Sequence, residues 1–123
     1  MNKSQLSKAV LGVLSTISIS SVTNAADVSF KKQISPIFQT SCYKCHNSKS
    51  KKPKAGLKLD NYKSIMASDF VREGDSKRSP LYYAVTMKPG SWGIMPPKTK
   101  GKPLTKAETD LIKQWIDQGA KNN

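Results

Sequence analysis

The chain has 123 residues, 21 Lys and Arg against 8 Asp and Glu, and a formal net charge of +13. That length holds one small domain with an adequate but not generous core, and the charge points to acidic proteins, anionic lipid or polymer, or nucleic acid as partners. Two cysteines and one histidine fall one short of the four ligands that a structural zinc site usually takes.

The first 25 residues have the layout of a secretory signal peptide. Lys3 and Lys8 give a positive start, Ala9 to Leu14 is apolar, Ile17 and Ile19 extend it weakly through serines, and the small residues Thr23, Ala25 and Ala26 follow. The apolar part is short and serine-rich for a bilayer span; an uncleaved membrane tether is the alternative. Cleavage after Ala25, or else after Ala26, leaves one domain over residues 26–123. It removes two lysines and no acid, so about +11 of the +13 charges remain. Export makes nucleic acid the least expected partner.

Asp27 to Ser41 reads as one helix. Asp27 is a suitable N-cap, and Val28, Ile34, Ile37 and Phe38 fall mostly on one stripe. Pro36 argues for a kink or a late start, because it removes a backbone donor. The helix leads into Cys42-Tyr43-Lys44-Cys45-His46, which is C-x-x-C-H, the attachment signature of a c-type haem. Two thiols at this spacing add to two vinyl groups of one haem, and the next residue gives the iron an imidazole nitrogen. All the cysteine and histidine of the chain is spent in these five positions. A thioredoxin-like C-x-x-C would follow a strand in a βαβ pattern. A disulfide between such close cysteines would close almost no loop. Neither explains His46.

Asn47 to Lys54 is polar, basic and proline-bearing, so it is expected as a loop. Ala55 to Leu59 returns toward the core. Asp60 offers an N-cap for a short helix with Tyr62, Ile65 and Met66. Val71 to Lys77 is a turn-rich link. Ser79-Pro80 starts a third helix filled by Leu81, Tyr82, Ala84 and Val85. Lys88 to Pro103 holds four prolines and three glycines and is neither a long helix nor a central strand; Trp92, Ile94 and Met95 within it need an apolar place. Thr105-Lys106-Ala107-Glu108 is a capping box. It opens a last helix with Ala107, Leu111, Ile112, Trp115 and Ile116 on one stripe, and Gly119 ends it. The reading is all-α with little or no sheet, and Trp115 is expected to pack on the first helix and near the haem.

The second face of the iron needs a ligand, and methionine is the natural one, because its thioether favours ferrous iron. Met95 is preferred, since Pro96-Pro97 stiffen its loop. Met87 and an open or water-bound site are the alternatives, and Met66 is expected in the core.

These stretches, from Ile34-Ser35-Pro36-Ile37-Phe38 through the C-x-x-C-H motif, Ala55 to Asp60, Gly74-Asp75, Ser79-Pro80-Leu81 and Met95-Pro96-Pro97 to Trp115-Ile116-Asp117-Gln118-Gly119-Ala120, resemble a class I c-type cytochrome, in particular the planctomycete-type cytochrome c domain. They cover nearly all of residues 26–123 in the family's order. The resemblance implies about four short helices around one covalent haem c on Cys42 and Cys45. It implies His46 as proximal ligand, Met95 as distal ligand, and terminal helices that cross near the haem edge. Such domains often sit in larger proteins, whereas this one stands alone in the chain, and its lysine-rich loop is more basic than the resemblance requires. The expectation is a periplasmic or secreted monohaem electron carrier. It would be a monomer without stable membrane insertion, would act with redox partners bearing acidic surfaces, and would not be an enzyme. A haem enzyme or gas-binding protein with an open distal site is the first rival, and an anion-binding module with incidental haem is the second.

Overall fold

The computed structural model describes residue 12, residues 25–86 and residues 93–123. The expected signal peptide falls almost wholly outside them, as do Met87 and Trp92. Among the described residues there are four α-helices and no strand: α1 Ser35–Ser41, α2 Tyr62–Met66, α3 Pro80–Val85 and α4 Lys106–Asp117. Single 3₁₀ turns stand at Lys54–Gly56 and Ser76–Arg78.

The first helix is not continuous. Phe30–Ile34 forms a π-helical turn ahead of α1, and the Ser35 N–H reaches back to the Phe30 carbonyl. Pro36 explains this. It cannot donate to the Lys32 carbonyl, and its ring needs room there, so the preceding turn widens. Asp27 is not the cap. The Ser29 hydroxyl accepts from the Lys32 N–H at 3.2 Å, while Asp27 pairs with Lys121 at 2.7 Å.

Two other expected caps move in the same way. Asn61, not Asp60, caps α2, its side-chain oxygen accepting from the Ser64 N–H at 3.1 Å. Asp60 accepts instead from the Ser48 N–H and hydroxyl, each at 2.9 Å, and so ties the basic loop back. Ser79 precedes Pro80 at the start of α3 as expected, but its hydroxyl makes no cap. It donates to the Asp75 carbonyl at 2.8 Å and accepts from the Arg72 N–H at 2.9 Å.

In α4 the capping box is present: the Thr105 hydroxyl accepts from the Glu108 N–H at 3.2 Å, and Glu108 accepts from the Thr105 N–H at 2.8 Å. Ile112, Trp115 and Ile116 are fully buried, whereas Ala107 is exposed and lies off the stripe. At the far end Gly119 takes φ +98. There the Ala120 N–H reaches the Trp115 carbonyl at 2.8 Å and the Gly119 N–H reaches Ile116 at 2.9 Å, a Schellman ending.

The centre of the core is aromatic. The Trp115 ring lies 5.4 Å from Phe30 and 6.3 Å from Phe38, and Phe30 lies 5.2 Å from Tyr62. The indole N–H donates to the Lys121 carbonyl at 2.9 Å, and the Tyr62 hydroxyl donates to the Ala120 carbonyl at 2.6 Å. The start of the described segment 25–86 and the last residues are stitched together here. Asn123 accepts from the Lys31 and Phe30 N–H groups, both at 2.9 Å, and Gln118 accepts from the Val28 N–H at 2.8 Å.

Candidate haem site

The motif follows directly from the end of α1. The Cys42 N–H still bonds to the Phe38 carbonyl at 2.8 Å, closing the helix. The chain then turns, with the Cys45 and His46 N–H groups both returning to the Cys42 carbonyl at 3.1 and 3.0 Å. Two further bonds fasten this turn from outside: Lys54 N–H to the Cys45 carbonyl at 3.2 Å and Leu59 N–H to the His46 carbonyl at 3.0 Å. Asn47 adds a third, its amide donating to the Tyr43 carbonyl at 2.7 Å. The backbone that carries Cys42, Cys45 and His46 is therefore held at both edges of the turn.

All three line one cavity of about 380 Å³, chiefly apolar, with Leu57, Leu59, Phe70, Leu81 and Ala84 among its walls. Met95 and the Pro96-Pro97 pair line the same cavity. Met95 is half-buried, and its N–H bonds to the Ala84 carbonyl at 2.9 Å, fixing this loop on α3. The fold thus brings together Cys42, Cys45, His46 and Met95. Met66 packs against the core and is not on the cavity wall. Ile94 is 37 % exposed and does not find the apolar shelter its type suggested.

Trp115 is also absent from the cavity wall, as is all of α4. It packs on the first helix, as expected, through Phe30 and Phe38.

The chemistry of the donors fits a haem. His46 is buried, and among the described residues its Nδ1 has no hydrogen-bond partner; a buried imidazole left so would be costly without a partner from outside the chain. The thiols are free rather than paired. Burial, reinforced by Cys45 nearby, pushes the Cys42 thiol up to about 12. A thiol held so far in its neutral form is unsuited to thioredoxin-like exchange, which runs through the thiolate. Among the described residues no three His, Cys, Asp or Glu side chains gather as a metal cluster would require.

Residues 42–99 match the family model described as Planctomycete cytochrome C. Over that stretch the chain is similar to the planctomycete-type cytochrome c domain. The matched segment runs from the first cysteine past Met95, while the π turn, α1 and α4 lie outside it. The helical, strand-free architecture among the described residues agrees with the small all-α cytochrome fold. No curated protein and no solved structure matches the chain. A cytochrome c domain is built for a haem-based electron carrier. No described helix is long and apolar enough to cross a membrane.

Sequence reading missed three parts of the wall. Phe70 has no place in the sequence reading, although an aromatic between two short helices is itself a sign of burial. Thr99 and Lys100 also line the cavity. They sit in the turn after Pro97, where nothing in residue type distinguishes them from the neighbouring Lys98 and Lys102.

Proposed function

We propose that this protein is an exported monohaem cytochrome that carries single electrons, with haem c held by thioethers to Cys42 and Cys45. When bound, the haem supplies a one-electron iron couple. The reading rests above all on one observation: Cys42, Cys45, His46 and Met95, far apart in the chain, line a single apolar cavity. In this reading His46 gives the proximal nitrogen and Met95 the distal sulfur. The His46 backbone is held by the bonds of the motif turn, and the Met95 backbone by its bond to Ala84. The apolar walls exclude water and disfavour added charge, which favours the reduced state. With His46 and Met95 both holding the iron, no site would be left for substrate, and the protein would act as a carrier rather than an enzyme.

Export follows from Lys3, Lys8 and the apolar stretch before Ala25. The partner is a redox protein with an acidic docking surface. Lys44, Lys54 and Lys100 stand on the cavity wall, no Asp or Glu does, and Lys49, Lys51 and Lys52 are exposed beside it. Acid–acetone extraction of the purified protein tests the covalent link: the haem stays with the chain if the thioethers are there and leaves with the solvent if they are not. Carbon monoxide binding to the reduced native protein would instead show an open distal position and sink the carrier reading.

A further inference from the structure

The loop that follows the haem motif is basic and polar, yet it is fastened at several points. Asn47 holds its first turn twice. The Asn47 amide donates to the Tyr43 carbonyl at 2.7 Å, and its side-chain oxygen accepts from the Ser50 N–H at 2.9 Å. At the far end the Lys54 N–H closes on the Cys45 carbonyl at 3.2 Å. Lys49, Lys51, Lys52 and Lys54 are all exposed. The remaining anchor comes from outside the loop. Asp60 accepts from the Ser48 N–H with both carboxylate oxygens and from the Ser48 hydroxyl with one, each at 2.9 Å. The residue before it is bonded to the motif itself, Leu59 N–H to the His46 carbonyl at 3.0 Å. Asp60 therefore ties the basic loop to a backbone already fixed on the haem motif.

By charge alone Asp60 is misplaced. It is the only acid between residues 28 and 68, a stretch that holds nine lysines. A surface that attracts an acidic partner loses attraction with each negative charge set within it. The neighbouring helix does not need this carboxylate either, because Asn61 caps α2. What Asp60 supplies is three bonds to one residue at the root of the loop.

We infer that Asp60 is a positioning residue for electron transfer: through Ser48 it sets the orientation in which the loop presents Lys49, Lys51 and Lys52 to an acidic redox protein. The inference rests on the reading of this loop as the docking face. A loop freed from Ser48 would keep its lysines and its long-range attraction. Its charges would no longer stand in one arrangement, and the orientational constraint on docking would be met less often. The two roles of Asp60 have opposite signs. As a charge it slows association with an acidic partner, and its removal speeds the reaction. As an anchor it speeds association, and its removal slows the reaction.

The experiment is stopped-flow electron transfer at low ionic strength on the haem-loaded protein, Asp60→Ala and Ser48→Ala. Two probes are used. A reduced acidic flavodoxin gives one electron to the ferric haem and must dock to do so. Ferricyanide takes one electron from the ferrous haem; it is a small anion that senses local charge and has no docking geometry to lose. Asp60→Ala should react with the flavodoxin about threefold more slowly or worse, within the span that variants of one interface show. With ferricyanide it should react no more slowly than the parent. Ser48→Ala changes no charge, should slow the flavodoxin reaction by a smaller factor, and carries the test if Asp60→Ala does not fold. An unchanged or faster flavodoxin reaction in the variant tested overturns the inference. So does a slowing shared equally by ferricyanide, which would place the effect at the haem and not at the loop. Replacing Lys49, Lys51, Lys52 and Lys54 by Gln separates this from the docking reading. If that variant leaves the flavodoxin rate unchanged, the loop does not face the partner and both fall. If it slows the rate while Asp60→Ala does not, only the positioning role falls.

Discussion

Trp115→Ala tests whether the aromatic centre, and not the cavity wall, holds the two ends of the domain together. Trp115 is fully buried, with Phe30 and Phe38 rings at 5.4 and 6.3 Å and its N–H on the Lys121 carbonyl at 2.9 Å. Truncating a buried aromatic of this size costs about 3–5 kcal/mol. Of that, roughly 1 kcal/mol belongs to the indole hydrogen bond and to the carbonyl left behind. A small domain has only about 5–15 kcal/mol in total, so the Ala variant should be close to the edge of folding. Trp115→Phe is the companion: it keeps a ring against Phe30 and Phe38 and should lose about 1–2 kcal/mol. Urea unfolding of the haem-loaded proteins, followed by circular dichroism, gives both values from the shift in midpoint at constant slope. The same samples should keep their redox potential almost unchanged, because α4 contributes nothing to the cavity wall. A loss below about 1 kcal/mol for Trp115→Ala would refute the packing argument, and a large change in potential would refute the separation of the two layers.

Met95→Ala should lower the potential, admit carbon monoxide to the reduced protein and abolish the methionine-to-iron charge-transfer band; if Met87→Ala did this in its place, the distal assignment would move to Met87. Replacing Lys49, Lys51, Lys52 and Lys54 by Gln should flatten the salt dependence of stopped-flow electron transfer to an acidic partner, since exposed charges are screened beyond about 8 Å at physiological ionic strength. An unchanged slope would place the docking face elsewhere. Asp60 offers a pH test. Burial pulls its pKa upward, but the Ser48 N–H and hydroxyl and the nearby Lys58 outweigh it and hold the carboxyl below its ordinary value. A carboxylate depressed in the folded state contributes stability above its unfolded pKa and loses it as pH falls through the folded one. Asp60→Asn should therefore make stability fall less steeply from about pH 4 downward, and an identical acid limb in the two proteins would count against the Ser48 clamp.

The last two helices were legible because they carry local signals: a Ser-Pro start for α3, and a capping box, an apolar stripe and a terminal glycine for α4. The motif and its cysteine arithmetic likewise stand in plain view. What could not be read is which of two neighbouring polar residues does a given job. Asp27 and Ser29, or Asp60 and Asn61, are equally good caps in isolation. The choice was made at long range, by Lys121 claiming Asp27 and Ser48 claiming Asp60. The π turn had its cause in Pro36, but a missing donor announces only that the helix is disturbed, not whether it bends, breaks or widens. Lys100 was hidden for a related reason, because its place depends on Gly101 closing against Pro96, a contact inside a loop with no period.

The bonds that Asn123 and Gln118 make to Val28, Phe30 and Lys31 span 90 residues or more. They set an order of assembly. Closing so long a loop must be met from chain entropy before the contact returns anything, and contacts of this separation slow folding. As synthesis runs from one end to the other, the segment before the motif waits without its final partners until the last helix has been made. During that interval the turn bearing Cys42 and Cys45 is joined to its neighbours only by short-range bonds. The Cys42 thiol, buried when the domain is complete, is thus open to reaction for as long as the tail is late.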